Sequence, residues 1–341
     1  MRTDTQDRYR TLTLSDGRRL AFSVTGPQDG VPVLYCHGAI GTSIEATVDL
    51  MRITRALGVR YVAPCRPGVG GSDPKPGRTL LDFADDVEEL ADALGLGGFA
   101  VVGVSAGGPY ALALTQRLPQ RVRRVALCSA LAPFCPPHRA PGLQRRIRVP
   151  LATLAGAPGI CRRLGNTVLP LAAAHPQLVT RVIAAHAAPS ERDRLDSASE
   201  RAAASASFLD ATCAGVGGLI DDFLTYASGW GFEPRDVRPE VHLWHGASDP
   251  LVPVEHALQL AATLPNCRVF IDPDEGHHFF RSSLEQILAT LVDGAGVISG
   301  GSRRGQTPER VLPPRNDSTN SLLVASSAGV PSIRTCPPPS T

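Results

Sequence analysis

The sequence predicts an α/β fold in which a mostly parallel central sheet carries helices on both faces. Between residues 31 and 128, short apolar runs typical of buried strands alternate with stretches of helical periodicity, and this alternation returns after residue 237. A chain that passes repeatedly from strand to helix to strand forms parallel strands, because each helix returns the chain to the starting end of the sheet. The segment between the two blocks lacks this rhythm, which predicts an insertion.

The composition is that of an ordinary globular protein and limits the classes of partner. Apolar residues make up 43% of the 341 residues, and 34 Lys and Arg against 32 Asp and Glu give a net charge of +2. Because nucleic acid binding requires a concentrated basic surface, this near balance argues against a nucleic acid partner. The eight cysteines are scattered without metal-ligand spacing, which predicts buried, reduced thiols, no metal site and no cofactor.

The strands are predicted from short apolar or alternating runs that end at turn residues. At the N-terminus, two alternating runs flank Ser15-Asp16-Gly17, and an Asp-Gly turn between such runs predicts a β-hairpin at one edge of the sheet. Continuous apolar runs such as Phe99–Val104 predict strands that are buried on both faces. The predicted strands cover residues 9–14, 19–25, 31–36, 59–63, 99–104, 122–128, 241–245 and 267–271.

The helices are predicted from apolar residues spaced three or four positions apart and from the residues at their ends. In residues 79–94, one face carries the apolar side chains, and Thr79 with Asp82 forms the pattern of a capping box. Gly58 and Pro119 are positioned to end two other helices. The predicted helices of the two regular blocks cover residues 43–57, 79–94, 107–118, 254–264 and 279–292.

The predicted domain organisation follows from these changes of pattern. Residues 1–130 and 237–295 form the two parts of the α/β core, and residues 131–236, rich in Ala, Pro and Arg, form a helical cap inserted between them. Residues 296–341 consist largely of Gly, Ser, Pro and Arg with little periodicity. They are predicted to be a disordered tail without a catalytic role, because such a composition buries too little apolar surface.

Two sets of side chains in the inserted segment are candidates for substrate contact. Its aromatic residues predict either an apolar lining for the site or packing within the cap, and packing is the simpler interpretation for most of them. Its clustered arginines predict a solvated helix face rather than a site for an anionic substrate. The aromatic residues are Phe134, Phe208, Phe223, Tyr226 and Trp230, and the arginines are Arg145, Arg146 and Arg148.

The strongest functional signal is Gly103-Val104-Ser105-Ala106-Gly107-Gly108, a G-x-S-x-G pattern between a predicted strand and a predicted helix. A serine on a sharp strand-to-helix turn has strained backbone angles, and the flanking glycines let neighbouring elements approach closely. The turn holds the hydroxyl out at the end of the sheet, where the N-terminus of the following helix favours developing negative charge. Ser105 is therefore the predicted nucleophile.

A serine hydroxyl requires a base, and a histidine oriented by a carboxylate suits this role. His277 is the preferred candidate because it follows the last predicted strand and comes directly after Gly276, and the neighbouring His278 is the alternative. Asp249 is the predicted orienting acid, since it follows the preceding strand and the segment after the strand ending at Cys128 offers no carboxylate. The three predicted catalytic residues all follow carboxyl ends of strands, where sites assemble in open α/β sheets.

The oxyanion formed by serine attack needs two backbone N–H donors. One is predicted at Ala106, next to the nucleophile, and the other at Ala39 in the loop after residues 31–36. In His37-Gly38-Ala39, the glycine permits the backbone to turn an amide inward. His37 is predicted to brace this loop by hydrogen bonding rather than to act as a base.

Together these motifs resemble the capped serine hydrolases of the α/β-hydrolase superfamily over residues 10–293. The matching segments are, in order, His37-Gly38, Arg66-Pro67-Gly68-Val69-Gly70-Gly71-Ser72, the serine turn, His245-Gly-Ala-Ser-Asp249 and Gly276-His277. The resemblance implies the α/β-hydrolase fold and the chain order Ser, Asp, His of its triad. Cys65 stands where the family often has an acid, which predicts a looser Arg66 loop. The stretch from Gly218 to Phe232 also resembles the end of the cap in some members.

The predicted activity is hydrolysis of a carboxylic ester through an acyl-enzyme. Ser105 attacks the carbonyl with His277 as base, and water activated by the same histidine then releases the acid. Hydrolysis of thioesters, lactones or carbon–carbon bonds and cofactor-free perhydrolysis use the same triad and stay open. Outside enzymes, the alternatives are a non-catalytic small-ligand receptor on the same fold and a scaffold protein that acts through the Pro-rich tail.

The sequence predicts a cytoplasmic protein. The first ten residues are polar and lack the apolar stretch of a secretory signal, and no segment has the apolar length of a membrane span. The predicted partner is a small-molecule substrate, and the sequence defines no oligomeric state.

Overall fold

The computed structural model describes residues 9–43, 49–134, 153–185 and 187–292. Within these residues, eight strands form one sheet: β1 (Arg10–Thr13), β2 (Arg19–Thr25), β3 (Val31–Cys36), β4 (Val59–Pro64), β5 (Phe99–Val104), β6 (Val122–Cys128), β7 (Glu240–Gly246) and β8 (Cys267–Asp272). Their order across the sheet is β1-β2-β4-β3-β5-β6-β7-β8, and β2 runs in the direction opposite to the other seven described strands. The predicted mostly parallel sheet with an N-terminal hairpin is confirmed.

The helices fall into a core set and an inserted set. In chain order they are α1 (Leu50–Ala56), α2 (Leu80–Ala93), α3 (Gly108–Arg117), α4 (Pro158–Ala174), α5 (Pro176–Ala185), α6 (Pro189–Leu195), α7 (Ala198–Ala211), α8 (Gly217–Ala227), α9 (Val254–Thr263) and α10 (Phe280–Val292). Helices α4 to α8, which we call the inserted helices, lie in the chain between β6 and β7. None of the described helices combines the length and apolar composition of a membrane span.

Alternate residues of the central strands enter separate cores on opposite faces of the sheet, because successive side chains of a strand point to opposite sides. In β5, Val101 joins a core with residues of α2, α3 and α9, whereas Val102 and Val104 join a second core with residues of α1 and α10. Helices therefore cover both faces, which explains why the central strands are continuous apolar runs.

Two predicted helix ends are confirmed by their hydrogen bonds. At the start of α2, the Thr79 side chain accepts from the Asp82 N–H, and the Asp82 carboxylate accepts from the Thr79 N–H. Gly58 follows α1 with a φ of +62°, a left-handed conformation that suits glycine. The predicted start of α1 lies partly in residues 44–48, outside the described residues, and the described helix begins at Leu50.

Other predictions also fall outside the described residues, namely the tail over residues 296–341 and the arginines Arg145, Arg146 and Arg148. Cysteine burial is confirmed for Cys36, Cys65 and Cys128, which are free thiols. The prediction was wrong for Cys213, which is an exposed free thiol.

Candidate functional site

Ser105 lies directly after β5, at the carboxyl edge of the sheet, and a single 3-10 turn (Ser105–Gly107) leads from it into α3. Its φ is +55°, a left-handed backbone conformation that costs a residue other than glycine about 1 kcal/mol. A Cβ atom on Gly107 would lie 2.0 Å from the Cys36 carbonyl oxygen, and one on Gly103 would lie 2.6 Å from the Ala111 Cβ. The glycines of the motif are therefore required by close approach of the neighbouring strand and helix.

Asp249 and His277 meet at the same edge of the sheet, in the loops that follow β7 and β8. His277 Nδ1 lies 2.7 Å from Asp249 Oδ2, and both residues are buried. The other carboxylate oxygen accepts hydrogen bonds from the N–H groups of Leu251 at 2.8 Å and Val252 at 2.9 Å. With both oxygens held, the carboxylate has one orientation and directs Nδ1 of the imidazole toward itself.

The electrostatics of the site favour an ionised acid at Asp249. Burial alone would raise the pKa of this carboxyl, but the neighbouring His277 and the hydrogen bonds it accepts bring the pKa below its usual value. A carboxylate that stays ionised in a buried position stabilises a positive charge on the imidazole that it contacts.

His278 does not share this arrangement. Its Nε2 is buried without a hydrogen-bond partner among the described residues, and burial lowers the pKa of this imidazole to about 3. It is therefore neutral at physiological pH. The carboxylate contact is thus made by His277, the preferred candidate of the two histidines.

A short segment after β6 connects the surroundings of Ser105 with those of His277. The Leu131 N–H donates to the Ser105 carbonyl oxygen at 3.2 Å, and Ser129 Oγ donates to the His277 carbonyl oxygen at 3.2 Å. The Ser129 N–H donates to the carbonyl oxygen of Trp244 in β7. These bonds tie the turns that carry Ser105 and His277 to one common segment.

The loop after β3 brings Gly38 next to Ser105. A Cβ atom on Gly38 would lie 3.8 Å from the Ser105 Cβ. The Gly38 carbonyl oxygen accepts from the Arg66 guanidinium at 2.8 Å and from His37 Nδ1 at 3.0 Å. Because C=O and N–H of a trans peptide point in opposite directions, the Ala39 N–H is directed away from Arg66.

His37 is buried and makes two hydrogen bonds within the loop system. Its Nδ1 donates to the Gly38 carbonyl, and its Nε2 accepts from the Arg66 backbone N–H at 3.3 Å. Burial, together with the charge of Arg66, holds the pKa of His37 well below its usual value. The predicted bracing role is confirmed, since both ring nitrogens of this buried imidazole are occupied by hydrogen bonds to the loop system.

Comparison with known proteins decides the family. The sequence profile of the alpha/beta hydrolase fold matches residues 31–282. The chain belongs to the alpha/beta hydrolase fold family. The solved structure of a bromoperoxidase from Bacillus anthracis superimposes with a TM-score of 0.65 at 20% identity, covering 84% of this chain and 100% of that one. At this identity, the likeness shows the fold alone.

Two sequence relatives of this α/β hydrolase differ in how much of each chain the match includes. A non-heme chloroperoxidase from Streptomyces lividans is 36% identical over 125 residues, which are 36% of this chain and 45% of the relative. A pimeloyl-[acyl-carrier protein] methyl ester esterase from Aromatoleum aromaticum is 31% identical over 241 residues, 69% of this chain and 87% of the relative. The chain thus matches less than half the length of the first relative and most of the second.

Arg66 is held more firmly in this α/β hydrolase than its sequence context predicts. The prediction of a looser loop, which was based on Cys65, is wrong. Arg66 is fully buried, and its Nε donates to Asp222 Oδ2 at 2.7 Å. Asp222 lies in α8, so the inserted helices supply the acid that is missing at position 65. Its Oδ1 also accepts from the Tyr110 hydroxyl at 2.7 Å and from the Arg78 guanidinium.

The sequence analysis missed Asp222 as a site residue, although a signal for it existed. An arginine in a buried loop requires a carboxylate partner, and its absence at Cys65 implied that one comes from elsewhere in the chain. Burial alone would raise the pKa of Asp222, but the positive charges of Arg66 and Arg78 hold it below its usual value. Both members of the Arg66–Asp222 pair are therefore ionised.

Inserted helices α6 and α7 contact two loops of the candidate site. Ser207 Oγ in α7 donates to the Ile40 carbonyl oxygen at 3.3 Å, in the loop that carries Ala39. Glu191 in α6 is fully buried, and its Oε1 accepts from the His278 backbone N–H at 2.5 Å. Nothing in the sequence pattern distinguished Glu191, because its role depends on tertiary contact with a distant loop.

The aromatic residues of the inserted segment are largely core residues. Tyr226 is fully buried with its ring 5.9 Å from that of Tyr110, and Phe134 is buried with its ring 6.2 Å from that of His256. Trp230 is also buried and packs against Phe232. These aromatic residues are therefore packing residues, but Tyr226 and Phe134 pack against the core helices α3 and α9 and not, as predicted from the sequence, within the inserted segment.

Proposed function

We propose that this α/β hydrolase is a serine hydrolase that cleaves carboxylic esters, with Ser105, Asp249 and His277 as its catalytic triad. The observation that carries the proposal is the 2.7 Å contact between His277 Nδ1 and Asp249 Oδ2 at the sheet edge where the strained Ser105 also lies. In such a pair the carboxylate orients the imidazole so that its second nitrogen can exchange a proton with a serine hydroxyl.

In the proposed reaction, Ser105 Oγ attacks the ester carbonyl while His277 Nε2 takes the hydroxyl proton. Asp249 stabilises the imidazolium, and the N–H groups of Ala39 and Ala106 stabilise the oxyanion. Collapse of the tetrahedral intermediate breaks the bond to the alcohol, which leaves with the proton from His277. Water then attacks the acyl-enzyme with the same histidine as base, and the acid is released.

Ester substrates are favoured by the similarity to the pimeloyl-[acyl-carrier protein] methyl ester esterase, because the match covers most of that relative's length. We further propose that the inserted helices form a cap over the triad. Support comes from hydrogen bonds that link α6 to the loop of His277 and α7 to the loop of Ala39. A cap in this position shapes the acyl or alcohol pocket and limits access of water.

Hydrolysis of p-nitrophenyl esters of increasing acyl length tests the proposal. We expect Ser105→Ala to lose activity by about six orders of magnitude and Asp249→Asn by about four, because both remove parts of the proton-transfer unit. Asp193→Asn, an exposed position on α6, serves as the matched control and is expected to retain activity. Folded wild-type protein that neither hydrolyses the series nor is labelled by a fluorophosphonate probe would indicate a non-catalytic receptor.

A second candidate activity is perhydrolysis, which is favoured by the name of one sequence relative, a non-heme chloroperoxidase. In this reaction, hydrogen peroxide replaces water in attacking the acyl-enzyme, and a peracid leaves in place of the acid. Peracid formation from an ester with hydrogen peroxide, compared between wild type and Ser105→Ala, measures it. Ester hydrolysis without detectable peracid would restrict the activity to water.

A further inference from the structure

Helices α4 and α5 present an apolar face to the outside of the molecule. Six large apolar side chains on these two helices have exposed fractions between 57% and 65%. Four of them recur at helical spacing along α4 and two along α5, so each set forms a single stripe. The six residues, which we call the outer apolar face, are Ile160, Leu164, Val168, Leu171, Leu178 and Val182.

Contacts on the opposite side of α4 turn its apolar stripe toward the outside. Arg162 forms an ion pair of 2.5 Å with Asp221, and Asn166 Oδ1 accepts from the Val216 N–H at 2.9 Å. A Cβ atom on Gly165 would lie 2.8 Å from a Val216 methyl group, so α4 approaches this segment closely. Arg162, Gly165 and Asn166 thus lie on the side of α4 that contacts residues 216–221, and the four large apolar side chains lie on the other side, where they are exposed.

The charged residues of α4 and α5 themselves are all arginines. Residues 93–190 contain no Asp or Glu, and residues 135–185 contain seven arginines in a chain whose net charge is only +2. Of these arginines, Arg163 and Arg181 are exposed on the same helices as the outer apolar face. An apolar stripe bordered by arginine and free of acid is the pattern of helices that lie in the interface of an anionic bilayer.

We propose that the outer apolar face docks this protein on the surface of a bilayer that contains anionic phospholipid. The apolar side chains enter the boundary between headgroups and acyl chains, and Arg163 and Arg181 bind lipid phosphates. A second copy of the chain is a poorer partner, because a symmetric contact brings the arginines of both copies together without an acidic residue on these helices to pair with them.

Co-sedimentation with vesicles tests the docking surface. We expect binding to vesicles of phosphatidylcholine with phosphatidylglycerol and much weaker binding to phosphatidylcholine alone. The pair of substitutions Leu164→Glu and Leu171→Glu is expected to lower binding at least about tenfold, because each places a charge where an apolar side chain enters the bilayer. Leu258→Glu on α9, where the exposed leucine lies outside this face, is the matched control with binding retained.

A separate double variant tests the contribution of arginine charge to vesicle binding. Arg163→Gln with Arg181→Gln is expected to weaken binding to anionic vesicles and to reduce its dependence on salt concentration. All binding is measured in the Ser105→Ala background, so the result is independent of any hydrolysis of lipid and of the proposed function. Thermal unfolding of each variant establishes that the fold is retained.

Two results overturn the proposal. One is a folded wild-type protein that does not sediment with anionic vesicles at low salt. The other is a concentration-dependent dimer in analytical ultracentrifugation that the Leu164→Glu and Leu171→Glu pair dissociates while vesicle binding is absent or unchanged. That outcome assigns the outer apolar face to a second copy of the chain.

Discussion

Arg66 and Asp222 form an ion pair of 2.7 Å between two buried side chains, and this pair joins the loop after β4 to the inserted helix α8. The same guanidinium donates to the carbonyl oxygens of His37 and Gly38. One buried charge therefore connects the inserted helices with the loop that carries the proposed oxyanion donor Ala39. We therefore expect both the stability of the protein and the geometry of its candidate site to depend on this arginine.

Loss of the acid from this pair is expected to be strongly destabilising. Asp222→Asn leaves the Arg66 charge buried without a counter-ion, and breaking a buried pair in this way costs about 3–5 kcal/mol. Urea denaturation measures the free energy of unfolding, with the exposed Asp193→Asn as control. A variant as stable as the control would show that Arg66 is compensated by its remaining hydrogen bonds.

Arg66→Lys tests whether the guanidinium positions the oxyanion loop. Lysine keeps the charge opposite Asp222 but cannot donate to the His37 and Gly38 carbonyls in the same fork geometry. We expect kcat for ester hydrolysis to fall about tenfold to a hundredfold with little change in KM, since the donors act in the transition state.

The matched control for Arg66→Lys is Arg78→Lys. Arg78 donates to Asp222 and to the Gly218 carbonyl oxygen, and no hydrogen bond from it to the loop of Ala39 is present among the described residues. A purely structural role for the ion network predicts equal losses of kcat in the two variants, whereas a positioning role predicts a larger loss for Arg66→Lys.

Backbone strain at Ser105 predicts that a non-glycine residue at this position lowers the free energy of unfolding, although the proposed activity requires the serine. Ser105→Gly is expected to raise the free energy of unfolding by about 1 kcal/mol relative to Ser105→Ala, because glycine adopts a φ of +55° without steric cost. Both variants lack the hydroxyl and are expected to lose fluorophosphonate labelling. Thermal unfolding of the two proteins side by side measures the difference, and a glycine variant less stable than the alanine variant would contradict strain at this turn.

Glu191 predicts a pH dependence of stability. Burial raises the pKa of this carboxyl above its usual 4.5, while His277, Arg194 and the His278 N–H act against the rise and Glu275 adds to it. Since the folded-state pKa is above the unfolded one, stability is fully present below the unfolded pKa and decreases as the pH rises through the folded pKa.

Glu191→Gln removes this titration while its side-chain carbonyl still accepts from the His278 N–H. The buried Oε2 has no hydrogen-bond partner among the described residues, and the substitution replaces this oxygen by the NH2 group of an uncharged amide. We expect the variant to be more stable than wild type at neutral pH by about 1 kcal/mol, with the difference vanishing near about pH 4. Urea denaturation across this range measures it, and a constant difference at all pH values would assign the effect to packing.

Local pattern was sufficient for the core of the fold and for the candidate triad. The strands at residues 31–36, 99–104 and 122–128 were predicted with the bounds that the structure has, because buried strands and their turn residues are encoded in short segments. Ser105, Asp249 and His277 could be selected as candidates because each follows a strand, and parallel strands bring their carboxyl ends to one edge.

Tertiary structure alone decided how charges pair across the molecule. Asp222 is 156 positions from Arg66, and Glu191 is 87 positions from His278, so no periodicity in the chain relates them. The outward direction of the apolar stripe on α4 likewise follows from contacts with residues 216–221 rather than from the helix itself. A periodic sequence determines that a helix has an apolar face, but only the packing of its neighbours determines whether that face is buried.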